Sequence, residues 1–461
     1  MPIFRRSSVF AAAAAALTAA PLVAAVPAAH ADGRCHGMNR IHVPGAQKQV
    51  VACLDDLTTA GTVKSGHTVP AQWTGLHAAA TKNPSGVPGI QVDGYFHDTS
   101  TFNTTHGWNH DAQFVIRLPK NWNGGLVIAG APGTRLQYAN DFTISDWVLA
   151  RGYAYASTDK GNNGNTFFRD GKRPGDAIRE WYYRMTQITV AAKATVTRYY
   201  RRPPRRTYAM GISNGGQLVR WALENHPELY DGGVDSEGTY WPRDNTPNAL
   251  TYLPVALRNY PRYRDTGDRN AHAAMIKAGF AKGSEFLWDF NYTNIWDNTQ
   301  RIYREEVDPT YDGDLEAGIP FCESGTPNCD ADYRYHERPE SVHRTVKALA
   351  HTGRIGKPMI TVHGTLDSLL PIRVHSDAYA RKVREQGRGK LHRYYRIEGA
   401  SHLDLEYDMF PDRMRPLLPC MRTAFEALER WTTPHGGQAP PPSATIPRQT
   451  TGDVVNTCSI G

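Results

Sequence analysis

The sequence has few cysteines, no strong excess of positive or negative charge, and few long apolar runs. Its 6 cysteines form no Cys-x-x-Cys pair, so we expect no structural zinc site and no bound metal. Lys and Arg number 52 against 45 Asp and Glu, a weak excess that favours neither a nucleic-acid nor a membrane partner. The densest basic cluster, Arg201, Arg202, Arg205 and Arg206, is typical of a solvated connector between a helix and a strand. Beyond the amino-terminal segment, no run is long and apolar enough to cross a bilayer.

Residues 1–31 have the pattern of a secretory signal peptide. Arg5 and Arg6 precede a run rich in alanine, leucine and valine that ends at Ala29-His30-Ala31, a small-x-small cleavage pattern. Two prolines interrupt the run, which disfavours a membrane anchor. We expect export by the general secretory route, with twin-arginine export as the weaker alternative, and cleavage near Asp32. The sequence therefore predicts a soluble, extracellular protein.

The cysteines of an exported chain are expected to pair, because disulfides are stable outside the cell. Sequence alone leaves the connectivity open. Proximity along the chain favours three pairs, Cys35 with Cys53, Cys322 with Cys329, and Cys420 with Cys458.

Residues 32–461 alternate short apolar segments with helical ones. We predict strands at residues 92–96, 113–118, 125–129, 152–157, 207–210, 358–362 and 392–397, and helices at residues 176–200, 217–225, 373–386 and 413–431. This alternation predicts the α/β fold class, with a mostly parallel sheet flanked by helices.

Two regions depart from the alternation. Residues from about 239 to 353 are rich in aromatics, and we interpret them as a cap inserted over the carboxyl edge of the sheet, where α/β sheets bind ligands. Most of these rings should form the core of the cap, and Trp288 and Trp296 are the candidates for contacting substrate. Residues from about 433 to 461 are proline-rich and predict an extended strap held by Cys458.

A serine stands between a predicted strand and a predicted helix, in the motif Gly211-Ile212-Ser213-Asn214-Gly215. Such a Gly-x-Ser-x-Gly turn is the nucleophile elbow, in which glycines on both sides of the serine avoid collisions with neighbouring backbone. The motif alone is weak, but its position after a strand and before a helix strengthens it. Ser213 is therefore the predicted nucleophile.

A serine nucleophile needs a histidine base and a carboxylate that orients it. Asp367 and His402 each follow a predicted strand, so both should lie at the carboxyl edge of the sheet, in the order serine, acid, histidine of the α/β-hydrolase fold. His363 is a less favoured base, and Asp404 is expected to point elsewhere. Asp235, after the strand that follows the nucleophile helix, is the rival acid.

The tetrahedral intermediate of acyl transfer needs two backbone amides to bind its oxyanion. One is expected from Asn214, the residue after the nucleophile. The other should lie in residues 130–134, where Pro132 has no amide hydrogen, and Ala131 is the favoured donor. A glycine-rich turn without this role is the alternative for the second donor.

The chain resembles the secreted hydrolases of 3-hydroxybutyrate oligomers. The features that carry the resemblance are Ser213-Asn214-Gly215-Gly216, the stretch Ala-Tyr-Ala-Ser-Thr-Asp-Lys-Gly at residues 154–161, and the tail Pro441-Pro442-Ser443 with Ile446-Pro447-Arg448. The resemblance implies hydrolysis of short polyester chains outside the cell.

A second resemblance is to the tannase and feruloyl esterase family, which shares a large inserted cap and a tail like that from Trp431 to Pro440. Those enzymes carry cysteines beside the nucleophile and the histidine, where this chain has Ile212 and Leu403. The sequence predicts a serine esterase that needs no cofactor, with an aromatic esterase, a secreted serine peptidase and a non-catalytic binding protein as alternatives.

Overall fold

The structure is a computed structural model that describes residues 35–98, 111–244, 247–311, 330–434 and 437–460. The described strands are β1 (Ala46–Leu54), β2 (Gly89–Phe96), β3 (Gln113–Pro119), β4 (Gly125–Gly130), β5 (Ala154–Thr158), β6 (Arg206–Ile212), β7 (Gly232–Ser236), β8 (Met359–Gly364), β9 (His392–Ile397) and β10 (Ala444–Ile446). They form a 10-stranded sheet in the order β1-β2-β3-β5-β4-β6-β7-β8-β9-β10. The pairs from β1 to β5 are antiparallel and all later neighbours are parallel, so the sheet is mostly parallel, as the sequence predicts.

Helices cover both faces of the sheet. The described α-helices are α1 (Thr59–Ser65), α2 (Asp146–Ala150), α3 (Asp176–Tyr200), α4 (Asn214–Asn225), α5 (Ala249–Thr266), α6 (Arg269–Ala278), α7 (Glu285–Asn291), α8 (Asp297–Val307), α9 (Glu340–Leu349), α10 (Ser376–Glu385), α11 (Leu405–Met409) and α12 (Leu418–Trp431). Neighbouring residues of β4 point to opposite faces, so Ile128 packs with α3 and α4 whereas Val127 packs with α2 and α12. The mostly parallel sheet with helices on both faces confirms the predicted fold class.

Three of the described helices between β7 and β8, namely α5, α6 and α7, have a hydrophobic core separate from that of the sheet. Residues of α5 and α6 pack there against aromatic side chains from α7 and from the turn that precedes α8. Helices α5 to α7 are called the inserted helices below. Their place in the chain falls within the predicted cap, and their function as a cap stays a prediction.

The end of the chain lies along the sheet. β10 pairs in parallel with β9, and a disulfide joins Cys420 of α12 to Cys458. A second disulfide joins Cys35 to Cys53 of β1. Both pairs confirm the predicted connectivity, whereas the predicted pair Cys322–Cys329 and the predicted signal peptide 1–31 lie outside the described residues. Among the described helices, none has the length and apolar character of a membrane span.

Candidate active site

Ser213 stands in a strained turn between β6 and α4. Its φ is 57°, a left-handed value that costs energy for a residue with a side chain. A Cβ on Gly211 would lie 2.3 Å from the carbonyl of Gly215, and one on Gly215 would lie 2.6 Å from the carbonyl oxygen of Gly130. The glycines on both sides therefore allow the backbone to close the turn, and helix α4 begins directly after the serine.

The structure brings the three predicted side chains into one hydrogen-bonded chain. His402 Nε2 lies 3.1 Å from Ser213 Oγ, and His402 Nδ1 lies 2.8 Å from Asp367 Oδ2. Asp367 and His402 follow the carboxyl ends of β8 and β9, which are adjacent parallel strands. Asp367 is buried, and His402 is 7% exposed. This is the geometry in which a histidine takes a proton from a serine while a carboxylate fixes its orientation.

The loop after β8 holds the Asp367 carboxylate in place. Its Oδ1 accepts hydrogen bonds from the amides of Leu369 and Leu370 at 2.9 and 2.7 Å. Burial opposes ionisation, but the facing His402 and the hydrogen bonds from His363 and His402 hold the pKa of Asp367 well below its ordinary value. Asp367 is therefore a carboxylate across the physiological pH range.

The less favoured acid and base candidates have other partners. Asp235 accepts hydrogen bonds from Arg220 Nε at 2.7 Å and from Thr361 Oγ1 at 2.9 Å, and both ionic side chains are fully buried. His363 Nε2 lies 3.0 Å from Asp367 Oδ2 and its Nδ1 lies 2.7 Å from Ser376 Oγ, so both ring nitrogens have partners other than Ser213. Asp404 accepts from the amides of Leu417 and Leu418 and so caps the start of α12.

The structure corrects the assignment of Ala131 to the oxyanion site. Its amide donates to the carbonyl oxygen of Thr158 at 3.0 Å, as part of the link between the β4 and β5 ends. Pro132 has no amide hydrogen. The next amide belongs to Gly133, which donates no hydrogen bond within the described part of the chain. Asn214, the other predicted donor, opens α4, where the first amides of a helix have no partner inside the helix.

The loop that contains Gly133 is fastened to the elbow by side chains. Asn214 Nδ2 donates to the Gly133 carbonyl at 3.3 Å, and Asn214 Oδ1 accepts from Thr239 Oγ1 at 3.1 Å. Lys160 is fully buried, and its Nζ donates to the carbonyls of Ala131 and Gly133 at 2.8 and 2.9 Å. Burial lowers the pKa of Lys160 to about 7, against the opposing effect of the adjacent Asp159.

A fourth ionisable residue, Glu237, adjoins the histidine and was missed from the sequence. Its Oε2 lies 3.6 Å from His402 Nδ1, and its side chain is 1% exposed. The signal that points to it is its place just after β7, at the same sheet edge as the other site residues. Glu237, Asp367 and His402 each have one possible metal-ligand atom, and these three atoms lie within 4.8 Å of one another. Two of the atoms, on Asp367 and His402, are already joined by a hydrogen bond. We therefore assign no metal to them.

The structure does not place Trp288 and Trp296 against the site, in contrast to their predicted contact with substrate. Both side chains are 0% exposed in the core of the inserted helices. Their indole nitrogens donate to Ser284 Oγ at 2.9 Å and to the carbonyl of Ser368 at 2.7 Å. Because both rings are closed off by packing, neither presents a surface to a substrate in this conformation.

The α/β-hydrolase fold is defined by a mostly parallel sheet with a serine elbow. An aspartate and a histidine follow later in the chain and lie at the same edge of the sheet, as they do here. Two family models match parts of the chain and confirm both resemblances. Residues 99–239, which include Ser213, match the model described as tannase and feruloyl esterase. Residues 325–460, which include Asp367 and His402, match the model described as 3HB-oligomer hydrolase.

Curated proteins show similarity over part of their length. The mono(2-hydroxyethyl) terephthalate hydrolase of Piscinibacter sakaiensis is 29% identical over 166 residues, which are 32% of this chain and 27% of that protein. A probable feruloyl esterase of Arthroderma benhamiae is 28% identical over 138 residues, 28% of this chain and 25% of that protein. The matched regions thus span about a quarter of the length of these relatives.

Solved structures with similar chain traces include two fungal enzymes. Feruloyl esterase B from Aspergillus oryzae has a TM-score of 0.45 at 14% identity, covering 80% of this chain and 82% of that one. Tannin acyl hydrolase from Aspergillus niger has a TM-score of 0.48 at 13% identity, covering 86% of each chain. Since both TM-scores are below 0.5, the fold assignment rests on the strand order and the elbow.

Proposed function

We propose that this protein is a carboxylic ester hydrolase that forms an acyl-enzyme at Ser213. The observation that carries the proposal is the continuous hydrogen-bonded chain from Ser213 through His402 to Asp367. The matches to two families of ester hydrolases support it, since one covers the serine and the other covers the acid and the base.

In the first half of the proposed reaction, Ser213 Oγ attacks the ester carbonyl carbon while its proton passes to His402 Nε2. The carbonyl oxygen becomes an oxyanion, for which the amides of Asn214 and Gly133 are the proposed donors. Asp367 stabilises the imidazolium. The intermediate collapses, the carbon–oxygen bond to the alcohol breaks, and His402 gives its proton to the departing alkoxide.

In the second half, a water molecule attacks the acyl-enzyme, and His402 takes one of its protons. The bond to Ser213 Oγ then breaks, and the proton returns to the serine. The acid product leaves with the oxygen of water, so the protein ends in its starting state. Every step uses side chains and amides of this chain, and we propose no cofactor.

The proposed substrates are short oligomers of 3-hydroxybutyrate or a related hydroxyalkanoate. This proposal is supported by the match of residues 325–460 to the 3HB-oligomer hydrolase model. Aromatic esters are the second candidate, supported by the match of residues 99–239 and by the relatives named for terephthalate and feruloyl esters. We propose further that the inserted helices cover the site, and that the protein acts outside the cell, where its disulfides are stable.

The test is hydrolysis of matched substrates by the purified protein and by Ser213→Ala. The panel contains a nitrophenyl butyrate, 3-hydroxybutyrate dimer and trimer, mono(2-hydroxyethyl) terephthalate, methyl ferulate and a nitroanilide amide. We expect the protein to cleave esters, and Ser213→Ala to lose at least about a thousandfold in kcat/KM. Equal rates for the two proteins would contradict the proposal, and faster cleavage of the amide than of the matched ester would favour a peptidase.

A further inference from the structure

Glu237 is held beside the imidazole of His402 by a strained backbone. Its φ is 52°, and its amide donates to the carbonyl of Val362 on β8 at 2.9 Å. The carboxyl Oε2 lies 3.6 Å from His402 Nδ1, the same nitrogen that binds Asp367 at 2.8 Å. Its other oxygen, Oε1, is buried and has no hydrogen-bond partner among the described residues.

The groups that face Glu237 are mainly acidic. Asp367 approaches from the loop after β8, Asp404 from the loop after β9, and Glu406 from α11. Burial, followed by the charges of these three residues, raises the pKa of Glu237 well above its ordinary value, against a smaller effect of the Gly364 amide. His402 is the basic group in contact with it. Glu237 is therefore protonated while Asp367 is ionised.

We propose that Glu237 is a reserve positioning residue for His402, which orients the imidazole when the carboxylate of Asp367 is absent. The inference rests on the proposed function of Ser213, His402 and Asp367. It deepens that function by giving the site a second carboxyl, which directly follows a different strand.

The exchange needs a small movement and a change of charge. When a neutral residue replaces Asp367, the largest of the charge effects that raise the pKa of Glu237 is gone, which shifts Glu237 toward the carboxylate while burial still opposes its ionisation. Its Oε2 must then approach Nδ1 by less than about 1 Å to reach hydrogen-bond distance. A cavity of about 10 Å³ adjoins the two groups and is lined by Glu237, His402, Asp404 and Ser236 together with apolar side chains.

The protonated state also suits the intact site. A second carboxylate beside Nδ1 would hold the proton on His402 more strongly, and this would slow its transfer to the departing alkoxide. Because Glu237 is neutral while Asp367 is charged, the imidazole faces one negative charge at a time.

The decisive comparison is a double-mutant cycle of Asp367→Asn and Glu237→Gln, measured as kcat/KM on the best ester. The asparagine keeps the Oδ1 acceptor for Leu369 and Leu370. We expect Asp367→Asn to retain activity that falls at least about tenfold further in the double variant, whereas Glu237→Gln alone costs less than about threefold. Equal activity of Asp367→Asn and the double variant would overturn the proposal.

The matched control is Glu406→Gln, which removes another buried carboxyl of the same cluster. Glu406 bonds Asn291 Nδ2 at 3.0 Å rather than the histidine. Added to Asp367→Asn, it should not lower the remaining activity, because loss of the Glu406 charge favours the carboxylate form of Glu237. A loss as large as that caused by Glu237→Gln would show that any carboxyl of the cluster supports the site, and would overturn the specific assignment.

The pH profile separates positioning from structural support. In Asp367→Asn, kcat should show an additional rise with pH as Glu237 loses its proton, because only the carboxylate stabilises the imidazolium. The double variant should lack this additional rise and keep only the one set by the general base, which both variants share. An Asp367→Asn profile without such a limb would contradict the proposal.

Failure of this inference and failure of the proposed function give different results. If Ser213→Ala is as active as the unmodified protein, the proposed function is wrong. If Ser213→Ala is inactive but Glu237→Gln has no effect in the Asp367→Asn background, the reserve role alone is wrong. Should Asp367→Asn not fold, the test is the infrared difference spectrum between the unmodified protein and Glu237→Gln at neutral pH. A carboxylic acid band that is lost in Glu237→Gln shows a protonated Glu237 and supports the proposal. Absence of this band shows an ionised Glu237 and contradicts it.

Discussion

At the scale of single residues, Lys160 connects the loop after β5, in which it lies, to the loop after β4. Its backbone has a left-handed φ of 76°, which turns the side chain back beneath the loop after β4. There the ammonium group reaches the carbonyls of Ala131 and Gly133 and lies 5.0 Å from the centre of the Trp181 ring. Fixing these carbonyls also fixes the direction of the Gly133 amide, because both belong to the same short turn.

We therefore predict that Lys160→Met lowers kcat by about tenfold to a hundredfold with little change in KM, because a misdirected oxyanion donor weakens the transition state. Steady-state kinetics on a nitrophenyl ester measures this. Lys82→Met is the matched control, since the Lys82 side chain is 79% exposed and pairs with Asp453 at the surface. An unchanged kcat in Lys160→Met would show that the loop holds its geometry without the lysine.

The residues of the site differ in how well the sequence predicts them. Ser213, Asp367 and His402 are signalled by their positions after apolar strands, and the structure places them within hydrogen-bond distance of one another. Glu237 and Gly133 are not signalled in this way. Glu237 faces the histidine because its backbone has a positive φ, which the sequence does not reveal. Gly133 is a candidate donor because the turn leaves its amide without a hydrogen bond among the described residues, and this too depends on the folded backbone.

At the scale of elements, the inserted helices depend on one aromatic core. Trp288 contacts the rings of Tyr260, Phe280 and His272 there, with centroid distances from 5.5 to 6.4 Å. A fully buried indole of this kind fills volume that no neighbour can replace.

We predict that Trp288→Ala destabilises the protein by about 3 to 5 kcal/mol through the cavity it leaves, and that Trp288→Phe costs less. Denaturant unfolding measures the loss. Tyr183→Ala is the control, since that ring is 55% exposed on α3. A raised KM without a loss of stability would instead restore Trp288 as a substrate contact.

Elements with strong patterns were predicted almost to the residue. The helix at 176–200 and the strand at 392–397 match α3 and β9, the first through its long periodic pattern and the second as a short segment rich in aromatic side chains. β1 was missed since polar residues such as Gln47, Lys48 and Gln49 interrupt it, as an edge strand permits. The predicted helix from residue 413 begins at Leu418, where the Asp404 carboxylate caps it from outside the local sequence.

At the scale of the whole molecule, buried ionisable groups set the pH dependence of stability. Burial raises the pKa of Glu180 to about 8 and those of Asp404 and Glu406 to about 7. The unfolded chain loses these protons at much lower pH, so the folded state binds more protons and stability falls as pH rises toward 8. His351 and His392, whose pKa burial lowers to about 3, act in the opposite direction, but only below the ordinary histidine pKa of 6.5.

We therefore predict that the melting temperature falls by roughly a few degrees between pH 6.5 and pH 8, because the buried acids with raised pKa outnumber Lys160, whose lowered pKa of about 7 acts in the opposite direction. Calorimetry at constant ionic strength measures this. Glu180→Gln should flatten the slope, because the amide does not titrate. A melting temperature that rises over this interval would contradict the assigned protonation states.

The two described disulfides secure opposite edges of the sheet. Cys53 belongs to β1 at one edge, and Cys458 follows β10 at the other, where the strap covers β9. Without these bonds the strap can leave β9, and the polar backbone groups of that strand become available to another copy of the chain. Production in a reducing cytoplasm is therefore expected to give inclusion bodies built by strand-to-strand aggregation, and production in an oxidising compartment to give dispersed monomers.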